Sequence, residues 1–256
     1  MQKRYFIKLE YDGSSYHGWQ KQPTGLAVQE VVEQGLSTIL RNTVSIVGAG
    51  RTDSGVHARV MYAHFDYEDE LNCEHIHFKL NRILPKDITI HSIYKVDINL
   101  HARFSAISRT YHYYIHLNKS SFLSNYSYAI PYKLDFNIMN IAAEYLIGTK
   151  DFKCFCKSNS DAKTNICNIT EAHWEPYKSE FYESNNYWVF KISANRFLRN
   201  MVRAVVGTLI NVGRNKISID EFKAIVDNGT RSDAGESVPG NALFLWDIKY
   251  PNITDL

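Results

Sequence analysis

The sequence predicts an α+β fold of two related halves, with mainly antiparallel strands forming one extended sheet, helices packed on it and a cleft between the halves. Three observations carry this reading. Segments of period-two alternation outnumber segments of helical spacing, and they follow one another mostly in meandering order. The second half also repeats the first in its order of elements. The boundary falls near residues 100–106, giving halves 1–104 and 105–256, and no Gly/Ser/Pro-rich linker marks it.

Taken in order, Tyr5, Ile7, Leu9 and Tyr11 alternate with Phe6, Lys8 and Glu10, which predicts a strand ended by Asp12-Gly13. SSYHGWQKQPTG is a loop. Over 26–41, Val28, Val31, Val32, Leu36, Ile39 and Leu40 recur at helical spacing. VSIVGAG is a short strand entering a glycine loop, and RVMYAHFDY is a second strand. Ile76, Leu80, Ile83 and Leu84 share one helical face that Pro85 stops, and DITIHSIYKVD is the next strand.

In the second half RTYHYYIHL alternates, and FNIMNIAAEYLIG is a helix with Gly148 as its C-cap. CNITEAHWEP and NYWVFKISA are strands separated by a polar turn. RFLRNMVRAVVGTLINVG is the longest helix, SIDEFKAIVDNG is another opened by a Ser218/Glu221 capping box, and NALFLWDIKY is the closing strand.

Composition excludes several classes. With 45% hydrophobic and 22% charged residues, the 256-residue chain is globular rather than disordered. No apolar run is long enough to span a bilayer, and the start shows no export signal, so a cytoplasmic protein is expected. Four cysteines are too few for a disulfide scaffold, and Cys154, Cys156 and Cys167 lack the paired C-x2-C spacing and fourth ligand of a zinc site. His75 and His77 beside the acidic run DYEDE form no H-E-x-x-H pattern. Lys and Arg exceed Asp and Glu by only 29 to 27, yet KLNRILPK, HARFSAISRTYHYYIH and NRFLRNMVR are locally basic. Two of these mix arginine with aromatic rings, a combination compatible with a structured RNA.

Two features hold candidate chemistry. GAGRTDSGVHA (48–58) places Asp53 inside a loop with three glycines. It lacks the Lys of a phosphate-binding P-loop, and on residue types alone Asp53 reads as a turn residue bonding its own backbone. In the long helix, Arg196, Arg199 and Arg203 fall at i, i+3 and i+7 beside an apolar stripe. An arginine against so much apolar surface needs a carboxylate, such as Asp53, or a phosphate.

GAGRTDSGVHA resembles the signature loop of the TruA family of tRNA pseudouridine synthases. LEYDGSSYHGWQKQ with VQEVVEQGLSTIL, RFSAISRTYHYYI, and ANRFLRNMVRAVVGTLINVG resemble three further blocks of that family, in its order, from about residue 5 to residue 250. Two segments depart from the pattern: GTKDF has Lys150 in place of the usual His, and SVPGNALFLW replaces the usual Ala-Pro and Gly-Leu. The resemblance implies isomerisation of uridine to pseudouridine in the anticodon arm of tRNA, by a homodimer that uses no cofactor or metal. It also implies roles for particular residues. Asp53 is the catalytic carboxylate, Arg203 its ion-pair partner, and Tyr111 the ring that stacks on the uracil with its hydroxyl available for proton transfer. Arg51 helps hold the target nucleotide out of the stack. Residues alone read Tyr111 and Tyr113 as strand core and His17 and His57 as structural. A non-catalytic RNA-binding module of the same fold is the alternative, and a metal-dependent hydrolase using His75 and His77 is a distant third.

Overall fold

A computed structural model describes residues 2–157, 163–178 and 186–251, and the turn expected between CNITEAHWEP and NYWVFKISA lies largely outside them. The structure is mixed α and β with mostly antiparallel strands, in two compact units: Met1–Ile107 with Leu245–Leu256, and Ser108–Phe244.

In the first unit β1 (Lys3–Tyr11) lies between β3 (His57–Tyr67) and β4 (Ile88–Val96), antiparallel to both. A two-residue β2 (Val47–Gly48) pairs with β3, which also neighbours β10 (Leu243–Lys249). The alternation read in β1 is real, since Tyr5, Ile7, Leu9 and Tyr11 are all buried. Phe6 is buried as well, because the opposite face is covered by Tyr62, His64, Tyr94 and Tyr250. Helices α1 (Val28–Leu40) and α2 (Cys73–Ile83) pack on each other, with Gly35 of α1 meeting the side chains of Leu80, Ile83 and Leu84. Asn72 caps α2 by accepting from the His75 N–H.

One polar cluster of this unit joins β1 to β3. Arg4 donates to both oxygens of Asp66 and to the Leu100 carbonyl, and buried His64 accepts from the Ala102 N–H at Nδ1. Burial, and then the charges of Arg4 and His101, push His64 down from 6.5 to about 4. The sign follows from proton counting. The unfolded imidazole takes up its proton near pH 6.5, the folded one only near pH 4, so this contribution is intact above 6.5 and is lost as pH falls between the two. His64→Asn keeps an acceptor for Ala102, and its denaturation midpoint is expected to fall less than the parent's between pH 7 and pH 4.

In the second unit the strand order is β5 (Ser108–His116), β9 (Tyr187–Ala194), β8 (Ile166–Pro176), β7 (Gly148–Asp151), all antiparallel neighbours. A two-residue β6 (Tyr128–Ala129) runs parallel to β5. Helices α3 (Phe136–Glu144), α4 (Met201–Gly213) and α5 (Ile219–Asn228) pack on one another, and α5 opens with the expected Ser218/Glu221 capping box. Cys154, Cys156 and Cys167 are buried free thiols, and burial pushes Cys154 up to about 12 and Cys167 up to about 11. Both are therefore held as neutral thiols, a poor state for a nucleophile or a metal ligand.

Two helix limits differ from the sequence reading. The long helix begins at Met201, not at Arg196, because Asn200 takes a left-handed conformation (φ 65°) that α-helix does not tolerate. Just before it, Asn195 is tied to Asn168 through its backbone N–H and its side-chain oxygen, and the Arg199 carbonyl accepts from Lys157. Arg196 and Arg199 thus precede the helix, and the three-arginine stripe does not form. Likewise α3 ends at Glu144. Tyr145, Leu146 and Ile147 follow in tighter turns bonded three residues back, and Gly148 (φ 102°) opens β7 instead of capping the helix.

Candidate active site

The glycine loop around Asp53 connects β2 to β3, and residues 11–19 are laid along it. Asp53 itself is half-buried and Arg51 is exposed. The Asp53 carbonyl accepts from the Val56 N–H at 3.2 Å, closing a turn at Ser54-Gly55. The next contacts come from the facing segment. Trp19 N–H donates to the Thr52 carbonyl at 3.3 Å, and Gly55 N–H donates to the Tyr16 carbonyl at 3.3 Å. The Ser54 hydroxyl also donates to the Tyr16 carbonyl, at 3.4 Å. Tyr11 Oη and Thr52 Oγ1 are 2.8 Å apart. At the far end of the loop Gly13 N–H donates to His57 Nδ1 at 3.1 Å, and Asp12 Oδ1 lies 3.0 Å from the same nitrogen.

Such closeness explains two of the glycines. A Cβ on Gly13 would sit 2.1 Å from the Val56 carbonyl oxygen, and one on Gly18 (φ 88°) 2.3 Å from that of Thr52. The facing segment is itself anchored. Tyr16 donates to Asp87 Oδ1 at 2.6 Å, and the Asp87 carbonyl accepts from Asp12 N–H. Burial, with Asp87 beside it, raises the Tyr16 hydroxyl well above the usual phenol range, so it stays a donor. Gly18 and Trp19 carbonyls accept from the first N–H groups of α1, whose N-cap position, Ala27, has no capping side chain.

Arg203 and Tyr111 belong to the second unit, Arg51 and Asp53 to the first. Arg203 is in the first turn of α4 and half-buried, and its Nε donates to the Val238 carbonyl at 2.7 Å while Val238 N–H donates to the Arg203 carbonyl at 3.3 Å. The unusual SVPGNALFLW segment is thus the support of Arg203. The next residue, Pro239, accepts from the Tyr113 hydroxyl at 3.0 Å. Tyr111 on β5 is half-buried and meets Phe197 edge-on, ring centroids 5.2 Å apart and planes at 90°. Lys150, which stands in the departing GTKDF segment, lies over the Tyr145 ring at 3.8 Å, a packing role on β7. His57 is buried and bonded within the fold.

Sequence reasoning passed over Tyr11, Thr52 and the Gly13–His57 contact. The available signal was the pair Gly13 and Gly18 on either side of Tyr16, a spacing that backbone-to-backbone approach demands.

The glycine loop thus holds a half-buried carboxylate on a backbone fixed from both sides. The chain belongs to the tRNA pseudouridine synthase family, whose model matches residues 8–105 and 142–251. It is 51% identical to tRNA pseudouridine synthase A of Bacteroides fragilis over 250 residues, 97% of each chain. The enzyme of the same name from Porphyromonas gingivalis is 48% identical over 251 residues, covering 97% of this chain and 98% of the relative. That of Acetivibrio thermocellus is 38% identical over 244 residues, 94% and 97% of the two chains.

Proposed function

We propose that this protein isomerises uridine to pseudouridine in the anticodon stem-loop of tRNA, with Asp53 as the catalytic carboxylate. The reaction breaks the bond from the sugar C1′ to N1 of uracil and forms one from C1′ to C5. The proton lost from C5 is balanced by one gained at N1. Atoms and electrons are conserved, so no oxidant, reductant or group donor is consumed. The carboxylate either attacks the sugar or base, or removes a sugar proton to support a glycal.

The observation that carries the reading is a single carboxylate in a family-type glycine loop whose backbone is fixed on both sides. Burial alone drives a carboxyl toward its neutral form, and a guanidinium restores the anion. Arg203 is assigned that role, Tyr111 stacks on the flipped uracil and serves proton transfer at C5, and Arg51 holds the extruded nucleotide. Extrusion costs a few kcal/mol, which these contacts offset. The family resemblance adds a homodimer working in the cytoplasm without a cofactor.

The experiment is incubation of the full chain with an unmodified tRNA transcript, followed by nucleoside analysis and mapping of the modified positions. Pseudouridine confined to the anticodon arm is expected. Binding with unchanged uridine content would make the protein a non-catalytic RNA-binding module, and conversion elsewhere would overturn the anticodon assignment.

A further inference from the structure

Polar side chains flank Asp53 in a place where apolar ones would pack as well. Tyr11 is 3% exposed, Thr52 8% and His57 1%, so the bonds Tyr11–Thr52 and Gly13–His57 are made out of water. Replacing both partners of a buried hydrogen bond by apolar groups of the same shape is nearly neutral for stability. A Phe facing a Val would therefore hold the fold, but it would not fix direction. The hydroxyl pair does fix it. Tyr11 is on β1, whose strand neighbours are β3 and β4, and Thr52 is the residue joined by one peptide bond to Asp53.

His57 works from the other side. As the acceptor from Gly13 N–H, Nδ1 turns a lone pair toward the backbone at 3.1 Å. A proton on Nδ1 would turn instead to Asp12 Oδ1, 3.0 Å away, and release Gly13. Gly13 backs directly onto the Val56 carbonyl, and Val56 N–H closes the turn on the Asp53 carbonyl. The two contacts thus brace the backbone one residue before the carboxylate and across the turn after it.

We propose that Tyr11 and His57 are positioning residues for Asp53, setting the direction of its carboxylate through Thr52 and through Gly13–Val56. The inference rests on the functional reading above. A misplacement of about 1 Å at a reacting group can cost up to ~100-fold in rate without weakening binding. The loss therefore belongs in kcat and not in KM.

The test is a kinetic cycle on tRNA with Tyr11→Phe, Thr52→Val and the double variant, alongside His57→Leu and His57→Asn. Each single change at the hydroxyl pair should lower kcat about tenfold with KM within about twofold, and the double variant should lose no more than either single one, since both remove the same bond. His57→Asn, which keeps an acceptor near the Nδ1 position, should retain most of the kcat that His57→Leu loses. Unchanged kcat, losses that multiply in the double variant, losses confined to KM, or an Asn variant as impaired as the Leu one would each overturn the proposal. If His57→Leu does not fold, the near-isosteric Tyr11 and Thr52 cycle decides alone. Product from the parent with multiplying losses sinks this inference only; no product from the parent sinks the functional reading and this inference with it.

Discussion

Asp53→Asn is expected to abolish pseudouridine formation, by at least about 1,000-fold, while the protein folds and binds tRNA as before. The scale follows from other enzymes, where removing a single nucleophile or base costs ~10⁴–10⁶ in kcat. The exchange is near-isosteric and removes one negative charge. The loop keeps its shape through other ties, which run to Thr52, Ser54, Gly55, His57 and the Asp53 carbonyl oxygen. A melting temperature close to the parent's would confirm that only chemistry has been lost. Binding should persist, since an unpaired base is held by stacking and by contacts to phosphate rather than by the carboxylate. Conversion at near-parental rate would remove Asp53 from the reaction and with it the proposed mechanism. Release of the charge also predicts a secondary effect at Arg203. If the two groups pair, Arg203→Ala should lower kcat in the parent but produce little further loss when combined with Asp53→Asn.

Local pattern reported much of this fold because most elements are decided locally. The alternation in β1 buries Tyr5, Ile7, Leu9 and Tyr11, the helical spacing buries Val28, Val32 and Leu36 in α1 and Ile76 and Leu80 in α2 while Ile83 stays exposed at the end of its helix, and the Ser218/Glu221 box caps α5 as read. The pattern failed where a distant partner chose the backbone. Around Asn200 the sequence keeps helical spacing, but Asn168 holds Asn195 and Lys157 holds the Arg199 carbonyl, so the stretch of apparent helix before Met201 is unwound. After Glu144 a three-residue hydrogen-bond spacing continues the apparent period, which is why the reading ran on to Gly148. The candidate site divides in the same way. Glycines made the Asp53 loop conspicuous, whereas Thr52 finds Tyr11 across 41 positions and Gly13 finds His57 across 44, distances over which periodicity carries nothing. The SVPGNALF segment carries no local signal of its role, which comes from Val238 bonding in both directions to Arg203.

That last contact gives Gly207→Ala an unusual expected sign. In an exposed helix interior the change would stabilise by about 1 kcal/mol, because glycine loses more backbone entropy on folding. Gly207 is buried in α4 against residues 234–238, and a Cβ there would stand 1.9 Å from the Glu236 carbonyl oxygen. The neighbour has little room to retreat. Gly235 also backs onto the helix, its own Cβ position being 2.8 Å from the Gly207 carbonyl carbon, and its N–H donates to Thr208 Oγ1 at 2.9 Å. Arg231 holds the same segment by donating to the Gly235 carbonyl at 3.0 Å and to Ser237 Oγ at 2.7 Å. Overpacking of this kind costs about 1–3 kcal/mol, and here it falls on backbone that must move by about 1 Å, so it outweighs the helical gain. A net loss of up to about 2 kcal/mol corresponds to a fall in melting temperature of up to roughly 8 °C at this chain length, read by calorimetry. Displacing the segment also pulls Val238 from the Arg203 side chain, so kcat should fall with the stability. A rise in melting temperature would show that the helix and the 234–238 segment do not meet through their glycines.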